Sequence, residues 1–155
     1  MCVIIICMKS NLKDRKVVDC AGCIVYKFIN DDIHLLLIRP RSDSDAWGIP
    51  KGHMEPRDKN LLECAKRETY EETGITCTPN TDMRLKPVYT RNPLEIKRVH
   101  AYIAIAHDDS AIEPITRQEV FDVNWFALDS LPQIHKYQLP LIEEAIYMLR
   151  LMQAS

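Results

Sequence analysis

Glycine is scarce. The 155 residues contain only 4, alongside 9 prolines and no low-complexity stretch, which excludes collagen-like and Gly/Pro-rich disordered chains. Long apolar runs are also missing. The one near the start, residues 3–7, is far below the roughly 18 consecutive apolar residues that span a bilayer. Its lysines follow it rather than precede it, the reverse of a secretory signal. The chain is therefore expected inside the cell, in the cytoplasm, with no membrane partner. Neither sign of charge is in excess: 20 Lys and Arg against 22 Asp and Glu leave a formal charge of -2. That excludes a generally basic nucleic-acid binder but leaves room for a local basic pocket.

A hydrophobic content of 46% with 27% charged residues suffices to bury a core, and the length suits one domain over residues 1–155, with residues 1–16 as a short extension. Six cysteines (Cys2, Cys7, Cys20, Cys23, Cys64, Cys77) are expected as reduced thiols, since a chain of this size needs no disulfide staple. Cys20 and Cys23 have the spacing of half a zinc site, but no second pair follows. On a strand they point to opposite faces, as small core residues would.

Residues 17–28 are β-branched, small or aromatic, and after Asn30, Asp31 and Asp32 the apolar run resumes at residues 33–39. This predicts a β-hairpin. Residues 39–46 read as a surface loop, which Ile49, Pro50, Lys51 and Gly52 continue as irregular chain. Residues 61–73 carry Leu62, Ala65, Thr69 and Thr73 at helical steps. Asn60 stands at the N-cap with Glu63 completing a capping box, Gly74 closes the helix, and Glu63 and Arg67 are spaced for an ion pair. Residues 98–106 and 120–126 read as strands. Residues 139–152 read as a second helix, with Pro140 in its first turn. The order predicts an α/β fold, a mixed sheet sandwiched between helices.

Chemistry concentrates in residues 67–75, RETYEETGI. Glu68, Glu71 and Glu72 fall within about one helical turn near a helix C-terminus, where they repel one another and oppose the macrodipole. They belong either to a solvated acidic face neutralised by Arg67 and Lys66, or to a site for a hard divalent cation such as Mg2+ or Mn2+. Upstream, WGIPKGHMEPRD adds a glycine, a lysine and a rigid turn at the helix entrance, suited to phosphate or metal.

Together these segments resemble the Nudix box of the Nudix hydrolases. Gly52 takes the first glycine and Arg67, Glu68, Glu71, Glu72, Gly74 and Ile75 the closing signature. Thr69 stands where an apolar residue is usual, and with one residue inserted between Gly52 and Ile75 the upstream acid becomes Asp58 or is shifted. The resemblance covers about residues 17–150 and implies a Nudix-type mixed sheet between helices. It also implies hydrolysis of a diphosphate linked to another group, assisted by Mg2+ or Mn2+. In that reading Glu68, Glu71 and Glu72 ligate metal with the Gly52 carbonyl, and Arg67 holds Glu68 or Glu71 in place. Glu119, six residues before Trp125, is a further base or metal ligand, or else a solvated loop glutamate. Lys51, Arg39 and Arg41 contact the outer phosphates, or are ordinary surface charges.

WGIPKGHMEP is most like the asymmetric diadenosine tetraphosphate hydrolase branch, which implies a small-molecule polyphosphate, a dinucleoside polyphosphate, as substrate. Tyr89, Tyr102, Phe126 and Tyr137 are then candidate base platforms or core residues, and His53 a phosphate or water contact or a hydrogen-bonded loop histidine. Two other substrates fit the resemblance. One is a diphosphoinositol polyphosphate, bound by Lys86, Arg91, Lys97 and Arg98; the other is a triphosphorylated or capped RNA 5' end. A binding module that does not cleave would be expected to lose the box glutamates, and this chain keeps all three. Oligomeric state is left open by the sequence.

Overall fold

In the computed structural model, residues 15–42 and 44–155 are described. The apolar run at residues 3–7, with Cys2 and Cys7, and the extension up to residue 14 lie outside the described residues. The elements in chain order are β1 Lys16–Ile29, β2 Asp32–Pro40, β3 Lys51–His53, helix α1 Leu61–Thr73, β4 Cys77–Arg84, β5 Val88–Arg91, β6 Glu95–Ala106, β7 Val120–Ala127 and helix α2 Leu139–Ala154. Among the described residues no helix is long and apolar enough to cross a membrane.

The seven strands form one mixed sheet with the path β4-β6-β1-β2-β7; β3 adds to β1, and β5 to β6. Strand β1 is its axis. It runs parallel to β6 from Lys16↔Glu95 to Tyr26↔Ile105, while its far end turns into β2 through Asn30 and Asp31, both at positive φ (51° and 68°). Two such residues in a row match the twist of a tight hairpin, and short polar side chains tolerate that conformation best.

The period of two along β1 divides the core. Cys20 and Ile24 face α2 with Leu35, Leu37, Val99, Ile103, Leu141, Ile142 and Leu149. Ala21, Cys23 and Val25 face α1 with Leu36, Cys64, Ala65, Ile75 and Ala104. Each fully buried Leu or Ile contributes about 1.5–3 kcal/mol, and the sheet between two helices is what lets both its faces do so. Cys20 and Cys23 therefore sit on opposite faces, both buried and unpaired in disulfides, and do not converge on a metal.

Four sequence expectations need correction. Lys51 and Gly52 are not irregular chain: they form β3, with Cys20↔His53, Ala21↔Gly52 and Gly22↔Lys51 pairing antiparallel. A three-residue strand is too short to show a period. Strands β4 and β5 were not expected, because CTPNTDMR and VYTR carry too few apolar residues. Third, β6 starts at Glu95, ahead of its apolar stretch. Finally, Glu63 pairs with Lys66 at 3.8 Å rather than with Arg67, so its carboxylate leaves the capping box half built.

Candidate active site

Helix α1 is fixed at both ends by its own residues. Asn60 Oδ1 accepts the Glu63 N–H at 2.9 Å, and Gly74, at φ 77°, donates its N–H to Tyr70 O. Within the helix Thr69 Oγ1 donates to Ala65 O at 2.7 Å and Thr73 Oγ1 to Thr69 O at 2.6 Å. These bonds satisfy two buried hydroxyls and explain how Thr69 occupies an otherwise apolar position. Past the helix, Glu113 N donates to Thr73 O at 2.8 Å, and Ile115 N and Thr116 N donate to Glu71 O at 2.8 and 3.0 Å. The segment thereby caps the open carbonyls of α1 and carries the chain to Glu119 beside the helix.

Arg67 organises the glutamates. Its Nε and Nη2 donate to the two oxygens of Asp58, each at 2.8 Å, and its Nη1 donates to Glu68 at 2.8 Å and Glu71 at 3.2 Å. Nη2 also reaches His53 O at 3.1 Å. This bidentate pair holds the Asp58 carboxyl well below the usual carboxylate range. Asp58 is thus a buried anchor for Arg67, with its side chain 3% exposed. Glu71 gains a second cation, Arg57 at 3.0 Å. Glu68 lies against Gly52, where an added Cβ would stand 2.2 Å from the Glu68 carboxyl carbon.

Glu72 is different. It is 6% exposed, and its Oε2 has no hydrogen-bond partner. Burial, and next the Glu68 charge, push its carboxyl up to about 8; Lys51 pulls the other way and Glu119 adds to the rise. A cavity of about 220 Å³ joins Lys51, Glu72 and Glu119 with Trp47, His135 and Gln138. Gln138 Oε1 accepts the Ile49 N–H at 2.8 Å, tying the wall on the α2 side to the loop before β3.

Among the expected site residues, this cavity brings together Lys51, Glu72 and Glu119. Arg39 and Arg41 line a neighbouring groove that shares Pro40 with it, and their guanidiniums lie 4.0 and 5.5 Å from the Phe121 ring centroid. Tyr137 touches the cavity indirectly, packing on His135 at 5.5 Å. The remaining candidates lie elsewhere. Tyr102 is half-buried on the α1 face of the sheet, Tyr89 pairs with Arg98 across β5 and β6, and Phe126 packs edge-on against Trp47. His53 points toward Glu95 at 3.9 Å. Lys97 and Arg98 are neighbours on a strand and so face opposite sides, and Asp19 takes Arg98 at 2.6 and 3.0 Å.

His135 and Gln138 were missed by sequence reasoning. The polar run QIHKYQ, residues 133–138, follows no period, and only tertiary contact places it against Trp47.

Among the described residues, no three His, Cys, Asp or Glu side chains gather as a ready-made metal site; Arg67 draws Glu68 and Glu71 to itself. The donors nonetheless suit a hard divalent cation. They are carboxylate oxygens on consecutive turns, one of them buried without a partner, beside a glycine that leaves no room for a side chain.

Comparison with known proteins agrees with this architecture. The NUDIX domain family profile matches residues 19–145. The bis(5'-nucleosyl)-tetraphosphatase [asymmetrical] of Mus musculus is 31% identical over 120 residues, 74% of this chain and 78% of that protein. The mRNA decapping complex subunit 2 of Schizosaccharomyces pombe is 30% identical over 115 residues, 73% of this chain, which spans only 15% of that protein's length. Among solved structures, the C. elegans Ap4A hydrolase binary complex superposes with a TM-score of 0.64 at 25% identity, over 72% of this chain and 81% of that one. With the family profile matched over most of its length and the box residues set around α1 and β3, the chain belongs to the NUDIX domain family.

Proposed function

We propose that this chain, as one domain over residues 1–155 with residues 1–16 as an extension, is a pyrophosphohydrolase dependent on Mg2+ or Mn2+. Its first-choice substrate is a dinucleoside polyphosphate, with diadenosine tetraphosphate split into ATP and AMP. The observation that carries the reading is the buried Glu72 carboxylate, with Oε2 unpartnered, lining one cavity with Lys51 and Glu119.

Glu68, Glu71 and Glu72, with the Gly52 carbonyl, would hold the cation, which when bound neutralises phosphate charge and sharpens the electrophilicity of phosphorus. The chain's own residues do the rest. Lys51 contacts a phosphate oxygen through its ammonium. Arg67 is a positioning residue, keeping Glu68 and Glu71 on one side of α1. A water held by Glu72 or Glu119 attacks phosphorus in line; the bond to the leaving phosphate oxygen breaks as the water's proton passes to the carboxylate. Ile38, Pro40 and Trp47 line the cavity and limit bulk water.

The test is mass-spectrometric product analysis with Mg2+ or Mn2+ on diadenosine tetraphosphate, an inositol pyrophosphate, triphosphorylated and capped RNA, and nucleoside triphosphates. The dinucleotide is expected to give ATP plus AMP fastest, with turnover falling about 100-fold or more in Glu72→Gln and disappearing reversibly in chelator. Turnover retained in excess chelator would sink the proposal. A second reading, action on a capped RNA 5' end, is favoured by the similarity to the S. pombe decapping subunit; a capped end presents the same nucleotide and polyphosphate. Fastest cleavage of capped RNA would select it.

A further inference from the structure

We infer that His135 is a substrate-binding residue that hydrogen-bonds the edge of a nucleobase through Nδ1, giving the cavity a base contact in addition to its phosphate contacts. The inference rests on the nucleotide substrate proposed above.

Buried polar atoms almost always find partners, so each exception asks for a reason. Two residues that line the same cavity carry such orphans: Glu72 at Oε2 and His135 at Nδ1. The first belongs to the hydrolytic site. The second lies outside every box position.

His135 is also held still. Its N–H donates to Trp47 O at 2.9 Å, and its carbonyl accepts from Gln138 N at 2.9 Å and Leu139 N at 3.1 Å, at the entry to α2. The imidazole packs against Tyr137 with the ring planes 34° apart. Fixing the ring in advance lowers the entropy lost when a ligand binds.

The chemistry of this wall selects a base over a phosphate. Burial, then Lys51 and Lys136, disfavour the charged imidazolium, so the ring offers one neutral donor or acceptor. Phosphate is better served by the Lys51 ammonium on the same cavity, since a charged donor makes the stronger bond. Ile38, Ala46, Trp47 and Ile49 give the cavity an apolar wall in addition to its charged groups, the kind of surface a base packs on. At about 220 Å³ the space is below the ~300–1,000 Å³ that encloses a whole drug-sized ligand. It suits one base-sized end of a dinucleotide, with the remainder outside the cavity.

The test uses three variants of the full chain. Asparagine places an amide atom near the position of Nδ1, glutamine near that of Nε2, and alanine supplies neither. With Mg2+ present, His135→Ala and His135→Gln are expected to raise the Kd of AMP by calorimetry, and the KM for diadenosine tetraphosphate, about tenfold. Expected kcat stays within twofold, and His135→Asn stays within threefold of the parent on both constants. In 15N-histidine NMR the Nδ1 resonance should move on addition of AMP and not of inorganic pyrophosphate.

An unchanged Kd in His135→Ala, a glutamine variant that outperforms asparagine, or an Nδ1 response to pyrophosphate equal to that to AMP would overturn the inference. Failure of the hydrolase reading looks different: the parent enzyme would turn over no nucleotide, while AMP binding and the NMR response still decide the role of His135.

Discussion

Replacing Glu72 with glutamine should stabilise the metal-free protein, and by an amount that depends on pH. In the unfolded chain Glu72 loses its proton near the ordinary carboxyl value of 4.5; in the folded chain it keeps the proton up to about 8. Between those values the native state binds the extra proton, so its stability is fully present below the lower value and falls as pH rises toward the upper one. Each pH unit in that interval costs about 1.4 kcal/mol, so by pH 7 roughly 3 kcal/mol is lost. A neutral amide of the same shape does not suffer this loss. For a chain of this size ~3 kcal/mol corresponds to about 6–12 °C in Tm.

The assay is thermal melting of parent and Glu72→Gln in chelator from pH 5 to 8. The variant should melt little above the parent at pH 5 and about 6–12 °C above it at pH 7. Taking the difference between the proteins cancels contributions they share, including His135, whose lowered value works in the opposite direction in this window. Asp58 and Asp19 are held low by Arg67 and Arg98 respectively, so their stability is lost only in stronger acid. Adding Mg2+ at pH 7 should raise the parent's Tm and barely move the variant's, because the cation stabilises the ionised carboxylate. A Tm difference equal at pH 5 and pH 7 would refute the reasoning.

Three further outcomes are expected. Asp58→Asn removes the bidentate carboxylate from a largely buried Arg67 that keeps Glu68 and Glu71 and should cost about 1.5–3 kcal/mol in denaturant unfolding, with activity falling as Glu68 and Glu71 lose their fixed positions; a cost below about 0.5 kcal/mol would deny Asp58 its anchoring place. Gly52→Ala forces only the flexible Glu68 carboxylate aside, whereas an added Cβ at Gly22 would lie 2.0 Å from the Pro50 backbone oxygen. The first variant should fold and lose turnover, while Gly22→Ala should lose stability, which melting and kinetics on the pair separate. Asn60→Ala removes the α1 N-cap bond and should cost about 1 kcal/mol, read as a shift of the urea midpoint at unchanged slope.

Local order was legible in the chain. The hairpin turn at Asn30 and Asp31, α1 between Asn60 and Gly74, and the apolar spacing of α2 each depend on residues within a few positions of one another. Local propensity and capping decide such features before any packing. The acidic cluster was legible for the same reason, since glutamates three and four apart must share a helix face. Strands β3 to β5 were hidden because their pairing with β1 and β6 overrides short or polar sequences.

The division within the glutamates was not legible at all. Glu68, Glu71 and Glu72 read alike along the chain, and nothing nearby in sequence announces that Asp58 and Arg57 would complete an ion network leaving Glu72 outside it. That outcome needed β3 laid against β1, which sets Gly52 under Glu68, and residues 113–116 folded back on the end of α1, which brings Glu119 alongside. His135 reaches the cavity only because the segment after β7 bonds to Trp47, nearly ninety residues away along the chain (135 − 47 = 88). Sequence determined which groups were available, through their types and local spacing. Tertiary structure decided which of them were buried, paired or left without a partner, because desolvation and charge neutralisation are set by neighbours in space.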